Sequence, residues 1–428
     1  MHNIIPQNHP QTLPQWLAYV EKLHPSVIEL GLSRIAKVAS ALQVVNFEAQ
    51  VITVAGTNGK GTTCAFLEEI LLQAGYKVGV YSSPHIQRYT ERLRINKQEL
   101  SDQAHCDAFA AIETIREDTS LSYFEYATLA CLTLLKQADC DYILLEVGLG
   151  GRLDATNVVE SDASVVTTID IDHVDWLGSD REKIGFEKAG VFRAGKAVIC
   201  GEFDPPHSLQ THAANLNCQI KYADKDFSYL ITGKHWNWTG KETIKDIRLP
   251  LLPIQNASTA LAVIEALQIK VNPAVLKNAI ENASLAGRLQ KISTSSACDL
   301  YLDVAHNPQS AQYLAGQLRL IKAGKTGNCK VHAIIGMLAD KDIAGTFDQI
   351  NAEIDFCNLV SLDCYRGVTA GSLLEHYKKS KNAQTTAICF ENVNTAYETV
   401  RNKVDPSDII IIFGSFHTVS DFLNISQG

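Results

Sequence analysis

Residues 51–73 read VITVAGTNGKGTTCAFLEEILLQ, a short β-branched run, a glycine loop bearing one lysine, and a helix-forming stretch. Few folds accept that order. Glycines let a backbone approach an anion, the free N–H groups of a helix start point at it, and a lysine neutralises terminal phosphates while a threonine hydroxyl reaches a metal. Thr57, Asn58, Gly59, Lys60, Gly61 and Thr62 are therefore the candidate nucleotide-binding residues. The loop departs from the usual P-loop, because only Thr57 and Asn58 separate Gly56 from Gly59 where about four residues are standard. A tight turn without a ligand is the alternative, and Lys60 with the threonines weighs against it.

From residue 51 onward, short β-branched runs alternate with helical stretches, which predicts a mostly parallel sheet covered by helices. VITVA (51–55), KVGVYS (77–82), DYILLEV (141–147), SVVTTI (164–169) and KAVIC (196–200) read as strands of a first α/β domain. Between about 202 and 254 the helical period is lost, Trp236 and Trp238 appear, and RLPLLP closes the stretch, which predicts a small antiparallel addition. Helices are expected over 256–268 and near 273–282. A second alternating series follows, DLYLDVA, KVHAIIG, DFCNLVSL, TTAICF and DIIIIF. The expected domains are 1–285 and 286–428, with the first fifty or so residues as an arm.

Composition removes several classes. At 46% hydrophobic and 20% charged, 428 residues can build real cores, and disorder is not expected. The 38 basic and 47 acidic residues leave a net charge of −9 with no long block of one sign, which argues against nucleic acid as a partner. No apolar run approaches the roughly eighteen residues of a membrane span. Eleven cysteines without a CxxC pair, behind an N-terminus that lacks a signal-like core, predict a reduced, cytoplasmic protein.

Motifs then follow in order: GTNGKGTT, SSPH (82–85), YTERLRI (89–95), FEYAT (124–128), EVGLGGRLDATN (146–157), IDHVDWLG (171–178), EKAG (187–190), DVAHNP (303–308), IGMLADKD (335–342) and GSFHT (414–418). Along nearly its whole length the chain resembles the dihydrofolate synthase/folylpolyglutamate synthase family, relatives of the Mur ligases. The resemblance implies an α/β, Mur-ligase-like architecture: an N-terminal P-loop ATPase domain with a mostly parallel sheet and a small antiparallel addition, and a C-terminal Rossmann-like α/β domain. It implies an ATP-dependent carboxylate–amine ligase that joins dihydropteroate or a reduced folate to L-glutamate through an acyl phosphate. ATP as co-substrate, two Mg2+ ions, a monovalent cation and a monomeric state belong to the same expectation.

Residue by residue, the family's metal ligands fall on Ser83, Glu146 and His173. All three stand at or just past strand ends, where parallel-sheet ligand sites gather. By themselves, a lone histidine is more often structural, and a strand-end glutamate often is. The family's carbamylated lysine falls on Lys188, otherwise read as a solvated lysine, and joins Lys60, Glu146 and His173 as the catalytic set. ATP contacts fall on Asn256, Arg288 and Asp303, although Asn256 reads equally well as a helix N-cap. Pteroate contacts fall on Val27, Ile28, Glu29, Leu30, Ser122, Phe124, Leu153, Asp154 and Ala155, with plain packing the alternative for Ile28 and Leu30. Glutamate contacts fall on His306 and Ser415, either of which alternatively stabilises a turn. Two other functions stay in view. A Mur-type UDP-muramoyl peptide ligase needs a UDP-sugar domain for which residues 1–50 are too few, and a non-catalytic nucleotide-binding module would not need the second domain's Arg288 and Asp303.

Overall fold

The computed structural model describes residues 10–25, 29–293, 298–325, 327–381 and 386–426, so Val27 and Ile28 lie outside the described residues. The chain divides into two compact units, Met1–Pro250 with Ile254–Ala283, and Leu251–Pro253 with Ser284–Gly428.

In the first unit the short β-branched runs become strands β1 (Gln50–Ala55), β2 (Val78–Tyr81), β3 (Leu93–Ile95), β4 (Gln98–Glu99), β5 (Tyr142–Glu146), β6 (Ala163–Val166), β7 (Ala197–Cys200) and β8 (Gln219–Tyr222). They form one eight-stranded sheet in the order β4-β3-β2-β5-β1-β6-β7-β8. Pairing is parallel from β2 through β8, and the β3–β4 hairpin closes one edge antiparallel. The central strands are buried on both faces, which is why they read as continuous apolar runs. Helix Lys60–Gln73 is apolar nearly all round because it packs against the sheet and also against helices Ile254–Ala266 and Pro273–Asn282. The expected antiparallel addition is the three-stranded sheet of β9 (Ser228–Thr232), β10 (His235–Thr239) and β11 (Thr243–Arg248), with Trp236 and Trp238 buried.

Two expectations for this unit change. SVVTTI leaves the sheet after Val166, so its threonines are loop residues. Residues 207–215, expected to lack helical period, form a helix; only Leu209 and Ala213 along it are buried, too few apolar positions to show a stripe.

The second unit carries β12 (Gln290–Ile292), β13 (Asp299–Leu302), β14 (Val331–Ile335), β15 (Phe356–Val360), β16 (Ala387–Phe390) and β17 (Ile409–Phe413), in the order β12-β13-β17-β14-β15-β16. Five strands are parallel and β12 is an antiparallel edge. That edge strand has three residues, too few for an alternating pattern to register in the sequence.

One core residue is poorly matched to its surroundings. His105, in helix Asp102–Arg116, is sealed against Tyr89 edge-on at 5.2 Å, and neither ring nitrogen meets a partner among the described residues. Burial pulls its pKa down from 6.5 to about 4. The unfolded chain therefore binds the extra proton between those values. The stability that depends on a neutral His105 is complete above pH 6.5 and is lost as pH falls toward about 4, by up to about 3 kcal/mol. His105→Leu is expected to flatten that acid limb, measured by urea denaturation at pH 7.5 and pH 5; an unchanged difference between the two would overturn the assignment.

Candidate active site

The phosphate loop follows β1, and hydroxyl groups from the stretch after β6 hold its shape. Thr57 N–H donates to the Thr168 carbonyl at 2.7 Å, and Asn58 N–H to Thr168 Oγ1 at 3.1 Å. Thr167 Oγ1 donates to the Asn58 carbonyl at 2.7 Å, while Thr57 Oγ1 donates to the Asp170 carbonyl at 3.1 Å. The amides of Thr57 and Asn58 are thus engaged. Those of Gly61 and Thr62 lie in the first turn of helix Lys60–Gln73, where N–H groups have no intrahelical acceptor and can meet an anion. Lys60 Nζ donates back to the Gly56 and Thr57 carbonyls at 3.0 and 3.2 Å.

Gly59 sits at φ +90°, and a Cβ there would lie 2.6 Å from Asn256 Oδ1. Asn256 is buried inside the first turn of helix Ile254–Ala266, so the N-cap reading is corrected; it is a wall of the loop. Gly59→Ala is expected to weaken ATP about tenfold or more, since a non-glycine residue there costs roughly 1–2 kcal/mol before the clash is counted. Gly75→Ala, at φ +91° with nothing within 4 Å, is the control that should lose stability and keep ATP affinity by calorimetry.

Lys188, only 3% exposed, lies near the end of helix Arg181–Ala189. Desolvation first, and the charge of Lys60 second, lower its pKa from 10.5 to about 7, while Asp172 and Asp154 pull the other way. A solvated lysine is therefore excluded. Its helix is clamped to the glycine loop after β5: Arg152 N–H donates to the Glu187 carbonyl at 2.7 Å, and Asn157 Nδ2 donates to the carbonyls of Arg152 and Gly190, both at 3.0 Å.

Glu146 ends β5 and Ser83 follows the neighbouring β2, so the sheet itself brings them together; the Ser83 N–H donates to Glu146 Oε2 at 3.3 Å. His173 sits on an exposed turn at φ +52°, its N–H donating to Asp172 Oδ1 at 2.8 Å. Among the described residues no three His, Cys, Asp or Glu side chains form a metal cluster. The expected set contains only two of those types. The buried Glu146 carboxylate and the Ser83 hydroxyl are hard oxygen donors and fit a divalent cation such as magnesium.

Among the described residues, Leu30, Phe124, Leu153, Asp154 and Ala155 of the expected pteroate set lie on or against the glycine loop. Gly31 N–H donates to the Leu153 carbonyl at 3.3 Å, which brings Leu30 to that loop. Phe124 lies so close over Gly148 that a Cβ there would stand 2.4 Å from the ring, and Tyr81 flanks it at 6.4 Å. Ser122 caps helix Tyr123–Ala138, accepting from Glu125 N–H at 3.3 Å, and its hydroxyl proton stays available. The Asp154 carboxylate organises the loop, accepting from Leu149 N–H at 2.9 Å and Thr156 N–H at 3.0 Å, with Ala155 buried beside it. Glu29 pairs with His24 at 2.5 Å and with Arg34, which also reaches Glu125 at 3.1 Å.

In the second unit Asp303 and Arg288 come together. Asp303 Oδ2 accepts from Leu289 N–H at 2.8 Å and Oδ1 from Ala305 N–H at 2.7 Å; burial raises its pKa and Arg288 opposes this. The Arg288 guanidinium lies 5.3 Å over Phe416. His306 Nδ1 bonds the Val304 carbonyl at 2.8 Å, and Ser415 Oγ accepts from Thr418 N–H at 3.0 Å, so both stabilise turns at strand ends. Sequence reasoning missed Thr167, Thr168 and Asp172. The hydroxyl pair immediately before IDHVDWLG was the available signal.

The chain matches the Mur ligase middle domain over residues 54–267 and the Mur ligase, glutamate ligase domain over residues 287–416. It is 45% identical over 414 residues to the dihydrofolate synthase/folylpolyglutamate synthase of Escherichia coli (strain K12), covering 96% of this chain and 95% of that one. The protein of the same description from Haemophilus influenzae is 43% identical over 429 residues, covering 96% of each chain. Among solved structures, E. coli FolC in complex with DHPP and ADP superposes with a TM-score of 0.91 at 44% identity, covering 97% of this chain and 98% of that one. A bifunctional folylpolyglutamate synthase/dihydrofolate synthase with Mn, AMPPNP and L-glutamate bound gives 0.89 at 45% identity, covering 98% of each. No helix of the described residues is long and apolar enough to cross a membrane.

Proposed function

The chain belongs to the dihydrofolate synthase/folylpolyglutamate synthase family of Mur ligases, and from that membership we propose how its residues divide the work. It is an ATP-dependent ligase that forms an amide between the carboxylate of dihydropteroate or a reduced folate and the amine of L-glutamate. The UDP-muramoyl reading is set aside, since relatives matched over 96% of this chain carry the folate description. The observation that carries the assignment is that the phosphate loop and the Phe124–Gly148 contact lie at the carboxyl ends of the adjacent central strands β1 and β5.

On this reading Leu30, Phe124, Leu153 and Ala155 flank the pterin, and Ser122 fixes its orientation through the hydroxyl. Residues 57–62 and Asn256 hold ATP, with Arg288 and Asp303 as further nucleotide contacts and His306 and Ser415 on the incoming glutamate. Domain 1–285 then takes ATP and pteroate, and domain 286–428 takes glutamate. Ser83, Glu146 and His173 would hold magnesium, with Asp172 orienting the imidazole and a carbamate on Lys188 supplying further anionic oxygens. When bound, the cation offsets the repulsion between polyphosphate and carboxylate. Lys60 adds its charge to the γ-phosphoryl group as the carboxylate oxygen attacks phosphorus and ADP leaves. The glutamate amine then attacks the acyl carbon, phosphate departs with the oxygen, and the amine proton passes to solvent. A reducing, cytoplasmic setting suits the free thiols.

Mass spectrometry of the products of dihydropteroate or a reduced folate with glutamate, ATP and magnesium tests the reading. One ADP per glutamate-sized mass increment is expected. ADP release that needs neither pteroate nor glutamate, or ATP binding without turnover, would return the chain to a nucleotide-binding module.

A further inference from the structure

Even the half-buried guanidinium groups of the first unit meet a carboxylate: Arg34 with Glu125 at 3.1 Å, Arg94 with Glu68 at 2.8 Å, Arg116 with Glu113 at 2.5 Å and Arg193 with Glu160 at 2.9 Å. Arg92 does not. It is 7% exposed, its Nε donates to His85 Nδ1 at 2.9 Å, and its guanidinium lies 5.5 Å from the Tyr123 ring centre and 5.9 Å from that of Tyr89. The two terminal nitrogens donate to no group among the described residues, and they are not among the buried atoms cut off from solvent. A desolvated cation without a counter-ion costs several kcal/mol, of which two aromatic faces return only part. The fork is open on the side where an anion would complete it.

Its place in the fold narrows the anion. Tyr123, under the guanidinium, lies between Ser122 and Phe124 at the pterin end of the site. On the other side, the Arg92 carbonyl accepts from Ser82 N–H at 2.9 Å, next to Ser83, which bonds Glu146 at the cation end. The group that runs from the pterin toward the phosphates ends in a carboxylate, and a planar fork matches a carboxylate through two parallel hydrogen bonds. We propose that Arg92 binds the carboxylate of the pteroyl substrate and holds it for phosphorylation, an inference that rests on the ligase reading above.

The test compares Arg92→Met and Arg92→Lys with the parent protein, all loaded with ADP and magnesium, for binding dihydropteroate and its carboxamide by calorimetry. The parent is expected to prefer the carboxylate. Arg92→Met should lose about tenfold to a hundredfold affinity for the carboxylate, the size of a charged hydrogen-bond pair, and stay within about twofold for the carboxamide. Arg92→Lys, which keeps the charge and loses the fork, should fall between, and it carries the comparison if Arg92→Met melts early. KM for ATP should not move. Equal losses for both compounds would make Arg92 a support for its aromatic walls and overturn the proposal, as would no loss for either. A parent protein that binds neither compound would instead overturn the folate reading itself.

Discussion

Lys60→Ala is expected to lose ligation by about a thousandfold or more while the protein stays folded, the range in which removing one cation from a phosphoryl-transfer site falls. The side chain is half-buried, and its Nζ donates to the Gly56 and Thr57 carbonyls of its own loop. On the proposed reading the loop meets phosphate through amides at the start of helix Lys60–Gln73, which the substitution keeps, so ATP should still bind, weakened by less than the rate falls. Product formation by mass spectrometry and ATP titration by calorimetry separate the two effects. Activity near that of the parent would remove Lys60 from the chemistry, and a large drop in melting temperature would make it structural.

Lys188→Ala should abolish activity to a similar extent, and a short carboxylic acid added in solution should restore part of it by supplying the missing oxygens. Lys188→Arg should fail despite keeping the positive charge. The reason is the titration of this amine: carbamate formation joins a neutral amine to CO2 with loss of a proton, and at a pKa of about 7 much of Lys188 is neutral where an ordinary lysine is almost wholly charged. Carbamate loading is therefore expected to fall as pH drops below about 7 and to rise above it, followed by intact mass under bicarbonate. Full activity in Lys188→Arg, or an unmodified amine in active protein, would sink this role.

Much of both sheets was legible because buried parallel strands must be short, apolar and β-branched, and the strands from VITVA to DIIIIF fit that demand. Strand ends were less so. Thr167 and Thr168 continue the β-branched pattern of SVV, yet their hydroxyls serve Asn58, a use that β-propensity cannot signal. β12 and the helix His207–Asn215 have too few buried apolar residues to register a period. Within the site, motif residues such as Glu146 and Lys188 could be singled out by strand position and resemblance. Their environments could not, since the desolvation of Lys188 comes from helix packing against the glycine loop. Arg92 stood in plain view within YTERLRI, and only burial marks it as a cation without a counter-ion.

The closeness of Lys60 to Lys188 also gives the site a history. Part of what keeps the Lys188 amine neutral is the positive charge of Lys60, and polyphosphate arriving at the loop would cancel that charge and favour the ammonium form. On the carbamate reading, nucleotide would oppose the very reaction that prepares the site for it. The chain should take up CO2 before its first ATP, so that freshly made protein matures once and works many times, and protein stripped of carbamate should recover fastest when nucleotide is absent.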